Sequence, residues 1–352
     1  MIFLIRWLRF GLVALLAVSF GMSAAYAQKW SMKAKFPEPA EEVYGIAANG
    51  KFYVFGGIAP GWKPMGMVYE YDPANDSWTK RKGMPLKSHH VALAELNGKI
   101  YVMGGFKYPD KGPRSWVPID NAWEYDPAND SWKALAPLPT KRGSPNAVAH
   151  DGKIYVIGGA GVHPGSKAMD IHPARPHRSL SANEVYDPAT NTWESRSPLP
   201  TARNHAIAGA VNDKIYIIGG RLGAAFITRA QNTGIVEEYD PAKDQWGALK
   251  APMPSPRSAT AWGTYEGKIY VAGGEERFGA GNWQRTFRAV EAFNPKTNKW
   301  SMLPPMRYPR HGLAGDILDG KFHLVSGDVA SGGGPGTQVH TNAHEVLDLT
   351  AK

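Results

Sequence analysis

Apolar residues in this chain fall in short runs held between pairs of turn formers. One representative stretch reads Asp151-Gly152, then Lys153-Ile154-Tyr155-Val156-Ile157, then Gly158-Gly159. Runs of that length, rich in β-branched and aromatic residues and bounded by glycine, predict strands. Each is preceded by another apolar strand, as in Ala206 to Val211, across a two-residue turn. Those turns are Asn49-Gly50, Asn97-Gly98, Asp151-Gly152, Asn212-Asp213, Glu266-Gly267 and Asp319-Gly320. Most are residues that tolerate positive φ, as a primed hairpin turn requires. A third strand carries Glu184-Val185-Tyr186 or its equivalent, and a fourth carries a tryptophan. The pattern therefore predicts a unit of four strands, a to d.

That unit repeats. Glycine pairs stand at Gly56-Gly57, Gly104-Gly105, Gly158-Gly159, Gly219-Gly220 and Gly273-Gly274. Each is followed by an aromatic-Asp/Asn-Pro turn: Tyr71-Asp72-Pro73, Tyr125-Asp126-Pro127, Tyr186-Asp187-Pro188, Tyr239-Asp240-Pro241 and Phe293-Asn294-Pro295. Seven residues after the aromatic come Trp78, Trp132, Trp193, Trp246 and Trp300. A sixth copy, His323-Leu324-Val325-Ser326-Gly327 with Glu345-Val346-Leu347, lacks strand d. Successive second glycines are 48, 54, 61, 54 and 53 residues apart, the length of a four-stranded propeller blade with loops. The missing strand is at the other end of the chain. Trp30-Ser31-Met32 followed by Phe36-Pro37 parallels Trp300-Ser301-Met302 followed by Pro304-Pro305. The expectation is an all-β, six-bladed propeller whose last blade is closed by the N-terminal strand, which removes the exposed edge.

These residues resemble the kelch repeat, whose hallmark is the glycine pair followed by spaced tyrosine and tryptophan. The resemblance covers nearly the whole chain after residue 27. It implies that the glycines permit close strand packing and that the aromatics pack between blades. The blades are expected at about 36–82, 87–136, 142–197, 203–250, 257–304 and 310–350, the last joined by 28–35.

Residues 1–27 read differently. Arg6 and Arg9 precede the apolar run Gly11 to Phe20, and Ala25-Tyr26-Ala27 supplies small residues for cleavage. This is the pattern of a secretory signal, with an apolar part too short to span a membrane. The expected location is the periplasm or the exterior, with no membrane span once the signal is removed. The full chain carries +9; without Arg6 and Arg9, 38 basic residues face 31 acidic ones, leaving +7. The charge is scattered with no basic run, which argues against nucleic acid. There is no cysteine, so no disulfide contributes to stability. A monomer is expected.

Strand alternation places the d–a and b–c connections on one face, where long, variable loops accumulate. Those loops carry aromatics (Trp62, Trp116, Phe278, Trp283) and cations such as Arg114, Arg175, Arg221 and Arg285, each read singly as a solvated charge. A sharper pattern lies seventeen residues before each second glycine. Arg142, Arg203, Arg257 and Arg310 stand there in blades 3 to 6, with Ala40 and Ser88 in blades 1 and 2. Four guanidinium groups around one channel mouth would suit carboxylate or sulfate through paired charge-assisted hydrogen bonds. The same recurrence would arise if each arginine braced blades by bonding carbonyls. Two residues further on, Glu42, His90 and His205 add polar groups at that mouth, with His311 beside Arg310.

The candidate ligand site is accordingly Arg142, Arg203, Arg257, Arg310, His90, His205 and Glu42. No residue stands out as catalytic. The blade 3 histidines His163, His172 and His177, with Asp170, do not match a ligand motif, so neither metal nor cofactor is expected. By resemblance, kelch propellers include binding modules, a copper-radical galactose oxidase and a sialic acid mutarotase. The oxidase cofactor needs a cysteine crosslinked to tyrosine, which this chain lacks. The reading carried forward is a binding module for an acidic or carbohydrate ligand, whether anionic small molecule, glycan, protein or peptide. A sugar mutarotase or epimerase is the enzyme alternative.

Overall fold

The computed structural model describes residues 29–279, 283–332 and 338–351. The expected signal segment at 1–27 lies outside the described residues. Six four-stranded antiparallel sheets are arranged as propeller blades, and no helix occurs among the described residues. Blade 3 is typical, with strands Asn146–His150, Lys153–Ile157, Asn183–Asp187 and Thr192–Ser195. All six a–b turns have positive φ at both positions, for example Asn49 at 50° and Gly50 at 72°, the type I′ geometry their composition demanded.

Ring closure follows the expected route. Strand Trp30–Met32 completes the sheet of Ala314–Leu318, Lys321–Val325 and His344–Asp348, pairing Trp30 with Leu347 and Met32 with Glu345. The Trp30 indole then donates to the Pro304 carbonyl of blade 5 at 3.2 Å. The same bond recurs around the ring, from Trp78 to Ala34, Trp132 to Lys82, Trp193 to Ala136, Trp246 to Ser197 and Trp300 to Ala251. The motif tyrosines play a second part in each joint. Tyr71, Tyr125 and Tyr186 donate at 2.7 Å to Asp76, Asp130 and Asn191, whose side chains also receive a backbone N–H of the preceding blade.

There is no single core. Six buried clusters each straddle two neighbouring blades, as where Phe55 and Val68 of blade 1 meet Val102 and Tyr125 of blade 2. Blade 6 joins blade 1 through Ala314 and Val325 against Phe52 and Tyr71. Because burial happens only between blades, each blade is stable only in the closed ring.

The glycine pair exists because backbones nearly touch at these joints. A Cβ on Gly158 would lie 2.6 Å from the carbonyl oxygen of Arg203 in the next blade, and its φ of +70° disfavours any side chain. The second glycine donates to that same carbonyl, Gly159 to Arg203 at 2.9 Å. The b–c connections are partly ordered: four of them form two-stranded ribbons, such as Ala160–Val162 with His177–Ser179. In blade 1 the b and c strands simply run on, as Lys51–Ala59 and Lys63–Asp72, past a bulge at Gly56.

Candidate functional site

Strand a begins with three register positions that the ring places at successive depths. At the first, Arg142, Arg203, Arg257 and Arg310 are no more than 1% exposed. Each side chain turns back into its own blade. Arg203 bonds the carbonyls of Thr201 and Ile217 and pairs with Glu237. Arg257 bonds Gly273, Ser255 and Val271 and pairs with Glu291 at 2.5 Å. Arg142 pairs with Glu184 at 2.8 Å and Arg310 with Glu345 at 3.0 Å. The expected convergence of these four on the channel mouth is therefore not what the structure shows. Their guanidinium groups are enclosed by carboxylate and carbonyl oxygens and present no face to a ligand. They brace strands a, b and c of one blade, while their own carbonyls reach the glycines of the preceding one.

The third position does converge. Glu42, His90, Ser144, His205, Ala259 and Gly312 all have φ between 51° and 56°. Their backbones form a chain of hydrogen bonds around the axis, Ser144 to His90, His205 to Ser144, Ala259 to His205 and Gly312 to Ala259. This left-handed turn aims Glu42, His90 and His205 at one point, with ligand atoms of all three within 4.8 Å of one another. Glu42 Oε2 lies 3.3 Å from His90 Nε2 and accepts from the Tyr44 hydroxyl at 3.0 Å.

Above them lies a cavity of about 210 Å³ on the b–c loop face. Its polar wall is Glu41, Glu42, His90, Arg221, Glu275 and His311, and its apolar wall is Ile58, Trp62, Trp116, Phe226 and Ile227. Trp116 stacks on Phe226 at 4.2 Å, and Trp62 stands 6.1 Å from Trp116. Arg221, read from the sequence as a solvated loop cation, is buried. It donates to Ser258 at 2.9 Å, to Ala225 and to His205, and it pairs with Glu275. His311 lies 3.5 Å from Glu41 and 3.7 Å from Glu275.

Burial and charge set the protonation states. Burial raises the Glu41 carboxyl above its ordinary range, although His311 opposes the shift. Burial also pushes Glu42 upward, but His90, His205 and His311 outweigh it and hold this carboxyl well below the usual value. His311 would be lowered by burial, yet Glu275, Glu41 and Glu42 raise it. His205 is held well below its ordinary value by burial and by the Arg221 cation.

Sequence reasoning placed Glu42, His90 and His205 at the mouth and overlooked Glu41, Glu275 and Phe226. A usable signal was present in the repeat. The residue after each glycine pair is Ile58, Phe106 or Ala160 in blades 1 to 3, but Arg221, Glu275 and Asp328 in blades 4 to 6. Two of these ion-forming residues, Arg221 and Glu275, stand in the polar wall at a position that is apolar in blades 1 to 3. The blade 3 histidines do not gather: His163 and His172 cap their own turns at Gly165 and Ala174, and His177 accepts from Ala225.

A family model described as Kelch motif matches residues 46–85, 88–139, 141–200, 202–247 and 256–307, most of the chain. The chain belongs to the kelch-repeat family. Among kelch relatives, the Kelch-like protein terF of Aspergillus terreus is 28% identical over 84% of this chain and 62% of its own length. Kelch-like protein 25 of Xenopus tropicalis is 27% identical over 74% of this chain and 40% of its own. Human Kelch-like protein 23 is 28% identical over 78% and 43%. The chain thus spans less than two thirds of the length of these kelch relatives. The solved structure of YjhT shares the fold, with a TM-score of 0.70 and 19% identity over 89% of this chain and 96% of that one.

Proposed function

We propose that this kelch propeller is a binding module for a small carbohydrate, held in the mouth cavity and working outside the cytoplasm. One observation carries the reading: a cavity at the channel mouth with an aromatic wall facing a wall of acid, imidazole and guanidinium groups. A sugar ring offers an apolar face to stack on Trp116 and Trp62, and hydroxyls that both donate and accept. Three carboxylates against one guanidinium and one raised imidazole leave no excess positive charge. That balance favours a neutral sugar over the acidic ligand that an arginine arc would have suited. The extracytoplasmic setting rests on the signal-like residues 1–27. Saturation-transfer NMR against a panel of neutral sugars, acidic sugars and acidic peptides tests the reading. Neutral sugars are expected to bind, and Trp62→Asn, compatible with the φ of 64° there, should weaken them roughly tenfold through the lost ring contact. Binding of acidic peptides alone would overturn it.

The mutarotase alternative draws support from a second observation. Glu41 and His311, 3.5 Å apart on the cavity wall, form a carboxyl–imidazole pair able to exchange a proton with an anomeric hydroxyl. Anomer exchange accelerated by the wild type and abolished in Glu41→Gln supports catalysis. Binding without exchange leaves a binding module.

A further inference from the structure

We propose that Glu42, His90 and His205 hold a divalent transition-metal ion at the mouth of the channel, with its open coordination positions facing the cavity. Two imidazoles and one carboxylate form a donor set suited to zinc and neighbouring first-row ions. The three side chains come from blades 1, 2 and 4, so they share a position in the repeat and form no local ligand motif.

The first observation is the convergence itself. An ion about 2.1 Å from each ligand asks donor atoms to stand roughly 3.4 Å apart. Glu42 Oε2 and His90 Nε2 are 3.3 Å apart, and all three ligand atoms fall within 4.8 Å. His90 Nε2 is fully buried and, despite that proximity, makes no hydrogen bond among the described residues. A buried nitrogen without a bond is costly; an ion between it and Glu42 would satisfy both.

The second observation is the outer layer. His205 Nδ1 is bonded to Asn204 Oδ1, which only accepts, so Nδ1 carries the proton and Nε2 keeps its lone pair. His90 Nδ1 sits against His89 Nδ1; with the proton of this contact on His90, its Nε2 would keep the lone pair that ligation needs. Metal-binding histidines are oriented by such bonds through the nitrogen that does not ligate. The Tyr44 hydroxyl likewise steadies Glu42. In this structure His205 Nε2 accepts from Arg221 at 3.1 Å. When it turns to an ion, Arg221 retains Ser258, Ala225 and Glu275 as partners. Charge is also consistent. Glu41 with His311, and Glu275 with Arg221, form opposed pairs, leaving Glu42 as the anion available to a cation.

The test uses the whole chain, purified without a histidine tag and stripped by a chelator. Zinc is titrated calorimetrically and cobalt(II) is added as a spectroscopic probe. Binding of about one equivalent, with cobalt bands showing mixed nitrogen and oxygen ligation, is expected. His90→Asn and His205→Asn keep a residue that accepts φ near 50°, so folding should survive. Each should weaken zinc by at least ~100-fold, since even outer-layer changes cost 10–100-fold. Zinc should raise the melting temperature of the wild type and not of either variant. Two results overturn the proposal: no zinc or cobalt bound by the wild type, or binding unchanged in both variants. If a variant fails to fold, the wild-type stoichiometry and cobalt spectrum decide alone.

Discussion

Replacing Arg257 with Met removes a guanidinium while keeping most of the stem. Arg257 is 1% exposed and its partner Glu291 fully buried. The substitution strands the Glu291 carboxylate, which retains only the Ser255 hydroxyl, and removes the guanidinium bonds to the carbonyls of Gly273, Ser255 and Val271. Breaking a buried pair from one side costs about 3–5 kcal/mol, because the remaining charge has no compensation. With an unfolding entropy of ~2.1 cal/mol/K per residue, a ring of this size should melt roughly 4–7 °C lower. The double variant Arg257→Met/Glu291→Leu removes both charges. It should recover most of the loss, since apolar replacement of a whole buried pair is often near neutral. Calorimetry on the wild type, the single variant and the double variant reads both steps. A single-variant loss below about 1 kcal/mol, the scale of a solvated surface charge, would refute the bracing role. So would a double variant no more stable than the single.

Deleting residues 28–35 removes strand Trp30–Met32 and the indole bond to Pro304. It should expose the edge of His344–Asp348 and produce a lower melting point with aggregation, followed by light scattering during a melt; unchanged melting would rule out closure through this strand. His323 and His344, bonded at 2.9 Å beside Phe52 and Tyr71, make the blade 6–blade 1 joint sensitive to acid. Burial, helped by Lys321 and Lys33, depresses His323 to about 4. A depressed folded value means the unfolded chain binds the proton first, so this stability is present above pH 6.5 and is lost as pH falls towards 4. The loss is about 3 kcal/mol. His323→Tyr, the residue all five other blades carry at this position, should flatten the fall in urea midpoint over that range, and an unaltered pH profile would exclude His323 as its source.

The sequence by itself determined the ring. Glycine pairs, I′ turns, the aromatic-Asp/Asn-Pro turns with their spaced tryptophans, and the orphan first strand that matches the strand missing from the last repeat are signals read in register, and repetition makes them legible. The role of the arginines was half legible. Blades 3 to 6 carry Arg142, Arg203, Arg257 and Arg310 together with Glu184, Glu237, Glu291 and Glu345 two residues before the motif aromatic or its blade 6 equivalent. Blades 1 and 2 lack the arginine and carry Tyr69 and Trp123 at the glutamate position. That internal pairing of arginine with glutamate already favoured bracing over a ligand site. Repeat register already placed Glu42, His90 and His205 at the mouth; only the tertiary structure decided which other polar residues join them there. Glu41, His90, Arg221, Glu275 and His311 come from five blades, and ring closure alone brings them around one cavity. A side chain's partners across the axis depend on how far each blade turns the chain, and no separation along the sequence encodes that distance.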